Sequence, residues 1–227
     1  MKDQTNTRFA AAGSQRWLQV AINRKPQLLL GALRRSGALA RGTSITWSSP
    51  LEEEGFREYR DGSALAKVGA KLKIPLQSCW PERGPRWDAI GITSQGSPLF
   101  VEAKAHIAEA ATSGTRASLE SRRLIDSSLI KARRFYAPRA TADWGNLFYQ
   151  YANRLAHHYF LKRLNDIASI LIFLYFLNAD DMLGPVSEDE WHGAIRLIHA
   201  ALGLPNDLRS HCVFDVFLDT RLLQDAV

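Results

Sequence analysis

The segment WPERGPRWDAIGITSQGSPLFVEAKAH, Trp80 to His106, decides how the chain is read. Two short apolar runs, Trp87 to Thr93 and Leu99 to His106, flank Ser94-Gln95-Gly96-Ser97-Pro98, a cluster of turn formers. That pattern predicts a β-hairpin. Alternate side chains of a strand share a face, so Glu102, Lys104 and His106 point one way while Val101, Ala103 and Ala105 point the other. Glu102 and Lys104 then lie about 7 Å apart along the backbone, beside the Asp88 carboxylate of the preceding strand.

Two acids and a lysine in this arrangement have a specific chemical use. Asp88 and Glu102, helped by the Ala103 carbonyl, offer hard oxygen ligands suited to Mg²⁺ or Mn²⁺, an ion that keeps some waters and completes its shell on substrate phosphate. Lys104 would stand beside a metal-bound water, orienting it or easing its deprotonation for attack on phosphorus. The competing reading makes Glu102 and Lys104 an ordinary charged pair on a surface strand.

Asp88, thirteen intervening residues and then Glu102-Ala103-Lys104 resemble the PD-(D/E)XK nuclease superfamily. Trp87 stands where the name of that family has proline, and the nearest proline is Pro85. The chain from about Trp47 onward is also similar to a bacterial branch with a WDAIG and VEAKAH core and a YQYANRLA helix. The resemblance implies a three-layer, restriction-endonuclease-like α/β fold, with a central mixed sheet flanked by helices. It also implies that the acids bind a divalent metal.

Composition is that of a globular protein, and its basic balance favours a polyanionic partner. The chain has 227 residues, 46% hydrophobic and 23% charged, with a formal net charge of +6 and pI near 9.5. Arginine pairs stand at Arg34-Arg35, Arg122-Arg123 and Arg133-Arg134, and such cations release counterions on meeting phosphates. Cys79 and Cys212 make neither a disulfide framework nor a metal knuckle and read as buried thiols. Residues 1–13 read as a mobile terminus without the apolar core of a signal peptide, and a cytoplasmic location is expected. Neither G-x-G-x-x-G nor G-x-x-x-x-G-K-S/T occurs, which removes the common nucleotide-binding loops.

The expected organisation is an N-terminal extension over 1–44, with short basic helices that pad the sheet or touch nucleic acid, and a nuclease domain over 45–227. Ser49-Pro50-Leu51-Glu52 carries the signals of a helix start, and that helix is expected to run to about Val68. On such a helix Leu51, Gly55, Glu58, Gly62, Leu65 and Gly69 share a face, and Glu58 is its only charge. Glu58 is therefore a candidate third acid for the metal, with Glu54 as the competing choice. A strand around Leu72 to Cys79 is expected to open the sheet ahead of the hairpin.

Downstream, a charged helix is predicted from about Ala117 to Phe135 and a second from Trp144 to Leu164. The second carries a polar stripe, Gln150, Asn153, Arg154 and His157, at spacings of three and four. The residues expected to face substrate are His106, Gln150, Asn153 and Arg154. The apolar run Ile167 to Leu177 reads as the central strand, too short to span a bilayer. A helix from Ser187 and a last strand, Cys212 to Leu218, complete the pattern.

The leading expectation is a Mg²⁺- or Mn²⁺-dependent nuclease hydrolysing DNA phosphodiester bonds, with Asp88, Glu102 and Lys104 catalytic. Asp88, Glu102, the Ala103 carbonyl and Glu58 are the expected metal ligands. The partner is nucleic acid, DNA first, with no membrane and with homodimerisation left open. The alternatives are a nuclease-fold binding or assembly protein without turnover, and a protein acting on some other phosphate compound.

Overall fold

The structure, a computed structural model, describes residues 8–226. The order is α1 (Gly13–Asn23), α2 (Pro26–Arg35), β1 (Ile45–Ser49), β2 (Tyr59–Arg60), α3 (Asp61–Lys67), β3 (Arg86–Trp87), β4 (Ala89–Thr93) and β5 (Pro98–Lys104), followed by α4 (Leu119–Tyr136), α5 (Tyr149–Tyr159), β6 (Ile170–Leu177), α6 (Glu188–Leu202) and β7 (Val213–Asp219). The β4–β5 hairpin forms, turned at Gly96 with φ of 83°, where a residue without Cβ meets no steric cost. Around it grows a five-stranded mixed sheet, β1-β4-β5-β6-β7, antiparallel up to β5 and parallel beyond it. β2 and β3 form a separate two-stranded ribbon.

Both faces of the sheet are covered, which is why β5 and β6 read as nearly continuous apolar runs. Leu99, Val101, Ala103, Ile172, Leu174, Phe176, Val216 and Leu218 pack with Trp17, Leu18, Val20, Leu29 and Leu33 of α1 and α2. Phe100, Leu171, Phe173, Tyr175 and Val213 pack on the other face with residues of α3, α4, α5 and α6. Each fully buried side chain of this kind contributes roughly 1.5–3 kcal/mol. The protein is an α/β fold with a five-stranded mixed central sheet and helices on both sides. The basic helices of the N-terminal region thus form one of its layers.

Three expectations are corrected. No single helix spans Ser49 to Val68. Asn23 Oδ1 accepts the Glu52 N–H at 3.0 Å and Arg24 pairs with the Glu52 carboxylate, so the capping signal closes only one 3₁₀ turn, Glu52–Glu54. Gly55 and Phe56 then take left-handed φ values of 64° and 57°, the chain extends into β2, and helix begins again only at Asp61. Residues 72–79 form bends and a 3₁₀ turn, Leu76–Ser78, rather than a strand. Pro75 offers no ladder donor, and the outer edge of β4 is already taken by β1. The middle of the sheet belongs to β5, with β6 beside it and buried on both faces.

Of the expected mobile terminus, residues 1–7 lie outside the described residues. The remainder is tied down: the Ala10 N–H donates to Gln19 Oε1 at 2.7 Å, and the Gly13 N–H donates to Asp181 Oδ2 at 2.8 Å. Among the described residues no helix is long and apolar enough to cross a membrane.

Candidate active site

Ala89 is opposite Val101 in the β4–β5 ladder, so continuing the register by one sets Asp88 opposite Glu102. Asp88 sits at the bend between β3 and β4, and its Oδ2 accepts the Ala103 N–H at 2.7 Å. That bond fixes one oxygen; the other has no hydrogen-bond partner among the described residues. Glu102 and Lys104 share parity with Phe100 and so face α4 and α5 rather than α1 and α2.

α5 brings its polar stripe onto the same face. Lys104 Nζ donates to Glu102 Oε1 and, at 2.9 Å, to Gln150 Oε1. Arg154 donates to Glu102 Oε2 through Nε at 2.6 Å, and its Nη2 stands 2.5 Å from the same oxygen as an ion pair. Its Nη1 also reaches Asn153 Oδ1 and its Nη2 the Arg86 carbonyl, both at 2.8 Å. The guanidinium lies 5.0 Å from the Trp87 ring centre, a cation–π contact. Glu102 is 1% exposed and the Arg154 side chain 4%, whereas Lys104 keeps 12%. Spacings of three and four on α5 bring this about: Gln150, Asn153/Arg154 and His157 fall on one face, which the fold turns inward.

The two carboxylates are driven in opposite directions. Burial, together with the adjacent Glu102 charge, pushes Asp88 up to about 8. Burial also opposes ionisation of Glu102, but Arg154 and Lys104 outweigh it and hold the group below the ordinary carboxylate range. Lys104 and Arg154 also act on Asp88, but they offset its burial and the Glu102 charge only in part, so an acid that resists ionisation stands next to one that is ionised.

Glu58 reaches this neighbourhood from an extended segment, not from a helix. Its Oε1 accepts from Gln15 Nε2 at 3.0 Å, and Arg86 Nε stands 4.0 Å from its Oε2. Burial raises its pKa, and the charge of Glu102 adds to the rise, so Glu58 feels the site. Among the described residues, however, no three His, Cys, Asp or Glu side chains are grouped closely enough to form a ligand cluster. Glu54 is engaged elsewhere, by Lys67 and the Tyr59 hydroxyl.

Of the residues expected to face substrate, Gln150 holds Lys104, Asn153 braces Arg154, Arg154 is committed to Glu102, and His106 Nε2 lies 3.6 Å from Glu109 Oε1. His157 is buried against Trp80 at 4.5 Å between ring centres, its Nδ1 on the Asn153 carbonyl. His158 accepts from the Tyr136 hydroxyl and donates to the Ser169 carbonyl. Cys79 is buried, whereas Cys212 is half-buried and receives Lys162 Nζ at 3.1 Å. Sequence reasoning missed the supports, Gln15 behind Glu58 and Trp87 under Arg154. The adjacency of Trp87 and Asp88 is the one signal that could have shown the latter.

The donor set suits a divalent ion of hard character. The unpartnered oxygen of Asp88 is available, Glu102 can share an oxygen it gives to Lys104, and water and substrate oxygens would complete a Mg²⁺ shell. No protein-family model matches the chain, and neither a curated protein nor a solved structure matches it.

Proposed function

We propose that the chain is a divalent-metal-dependent phosphodiesterase of the restriction-endonuclease-like class, acting on DNA. The observation that carries this reading is the convergence of Asp88, Glu102 and Lys104 where β4 begins and β5 ends, with no cation hydrogen-bonded to Asp88 among the described residues. Mg²⁺ or Mn²⁺ held by Asp88 and Glu102 would supply positive charge for the phosphate oxygens and a water of lowered pKa. Lys104, steadied by Gln150, would orient the attacking water and meet negative charge developing on phosphorus oxygens. Arg154 keeps Glu102 ionised. The exposed cations of α4, Arg123, Lys131 and Arg134, together with the net charge of +6, favour a polyanionic substrate.

One observation favours a second reading, a nucleic-acid-binding protein without turnover. Both oxygens of Glu102 are already held by cations, as in a purely structural buried network. Incubation with single-stranded, duplex and branched oligonucleotides plus Mn²⁺ separates the two. Cleavage by the wild type that falls at least about a hundredfold in Lys104→Ala, with oligonucleotide affinity retained, is the expected result. Binding without cleavage on every substrate leaves the second reading.

A further inference from the structure

We propose that Arg154 is a built-in counter-charge that limits this site to one divalent ion per chain; the inference rests on the metal-dependent reading above. Every contact of Arg154 supports a fixed rather than a mobile role. Nε and Nη2 both close on Glu102 Oε2, at 2.6 and 2.5 Å. Nη1 also donates to Asn153 Oδ1 and Nη2 to the Arg86 carbonyl, and Trp87 lies under the guanidinium. A side chain 4% exposed with all these partners is not free to swing out toward a substrate phosphate. Arginine keeps its charge at any working pH and presents a planar fork, so it is suited to hold one carboxylate oxygen permanently.

Charge counting gives the consequence. When ionised, Asp88 and Glu102 carry two negative charges, and Lys104 and Arg154 already carry two positive ones within the same hydrogen-bonded cluster. One divalent ion leaves a surplus that a bridging phosphate and a metal-bound hydroxide can match. Two ions would leave four positive charges at short range in a poorly solvated site, which a single phosphodiester cannot balance. Ligand supply points the same way. A two-metal site needs bridging carboxylates, but Glu102 Oε2 is closed by Arg154, and no third acidic, His or Cys side chain is grouped with the pair among the described residues. The guanidinium therefore stands where a second ion would find its ligand.

The test is Mn²⁺ binding to the full chain without nucleic acid, followed by titration calorimetry and by the spectrum of free Mn²⁺. Wild type is expected to take one ion per chain. Arg154→Met, which keeps bulk and removes charge, is expected to bind Mn²⁺ at least tenfold more tightly or to admit a second ion. Arg154→Lys is expected to keep the stoichiometry at one, and Asp88→Asn to lose the ion. Two ions bound by the wild type would overturn the proposal, even if Arg154→Met proves unable to fold. Unchanged affinity and stoichiometry in a folded Arg154→Met would overturn it as well. No Mn²⁺ bound by the wild type at all would instead remove the metal-dependent reading on which it rests.

Discussion

At neutral pH the two carboxylates of the site respond to substitution with opposite signs. Asp88, pushed up to about 8 by burial and by Glu102, holds a proton in the folded state that the unfolded chain has lost. Its ionisation therefore works against folding, and Asp88→Asn, which keeps shape and removes the charge, is expected to raise the melting temperature of the metal-free protein at pH 8. Glu102 is the reverse case. Arg154 and Lys104 hold it ionised, so Glu102→Gln leaves a buried guanidinium without its anion and should cost about 3 kcal/mol. Thermal melts in EDTA decide the matter: two variants shifting in the same direction would contradict the assignment. With Mn²⁺ added, the wild type should gain stability through ligand linkage and Asp88→Asn should not.

The element that continues from the site is the end of β5, and its tightest neighbour is the turn before α6. A Cβ added at Gly184 would stand 2.2 Å from the Ala105 carbonyl oxygen, a clash with backbone that no rotamer relieves. Gly184→Ala is expected to push that turn off the strand, destabilise the fold by about 1–3 kcal/mol, and slow any cleavage that depends on Lys104. Gly193→Ala, in the open on α6 with nothing within 4 Å, is the control and should be neutral or mildly stabilising. Contacts of this kind are what the sequence cannot display. The hairpin was legible because turn residues and strand alternation are local, β6 because its apolar run is unbroken, and α5 because its periodicity is long, although helix begins only at Tyr149 and not at Trp144. The stretch from Ser49 to Arg60 was not legible, because what stops the helix is remote in sequence: Asn23 and Arg24 take the Glu52 cap, and Arg86–Trp87 takes Tyr59–Arg60 as a pairing partner. Glu58 reached the site's neighbourhood by a different backbone from the one its spacing suggested. Arg154 was visible as part of a polar stripe, but only the packing of α5 on the sheet shows that it serves Glu102.

For the whole molecule, buried and half-buried titratable groups set the pH of greatest stability, and they pull against each other. His157 and His158 are buried neutral, lowered to about 3 and about 4 by desolvation. Below the ordinary histidine value of 6.5 the unfolded chain binds protons that these rings refuse, so they cost stability as pH falls from 6.5 toward 4. Burial pushes Asp215 up to about 7, and Asp88 stands at about 8. Between their ordinary value of 3.8 and those pKa values the folded state binds the extra protons, so these two acids cost stability as pH rises. From about 4 to 6.5 the two pairs nearly offset each other, and the lowered His199 and His211 tip the balance toward loss on the acid side. Above 6.5 only the acids still change, and stability falls until both are ionised. The metal-free protein should therefore be most stable near pH 6 to 6.5, far below its pI of about 9.5. Urea denaturation from pH 5 to 8.5 in EDTA measures this directly. A midpoint that climbs steadily through pH 8 would contradict it, whereas a decline that Asp88→Asn with Asp215→Asn abolishes would trace the upper limb to those two carboxylates. Mn²⁺ should remove only the Asp88 share of that decline, because a cation at the site takes the place of the proton.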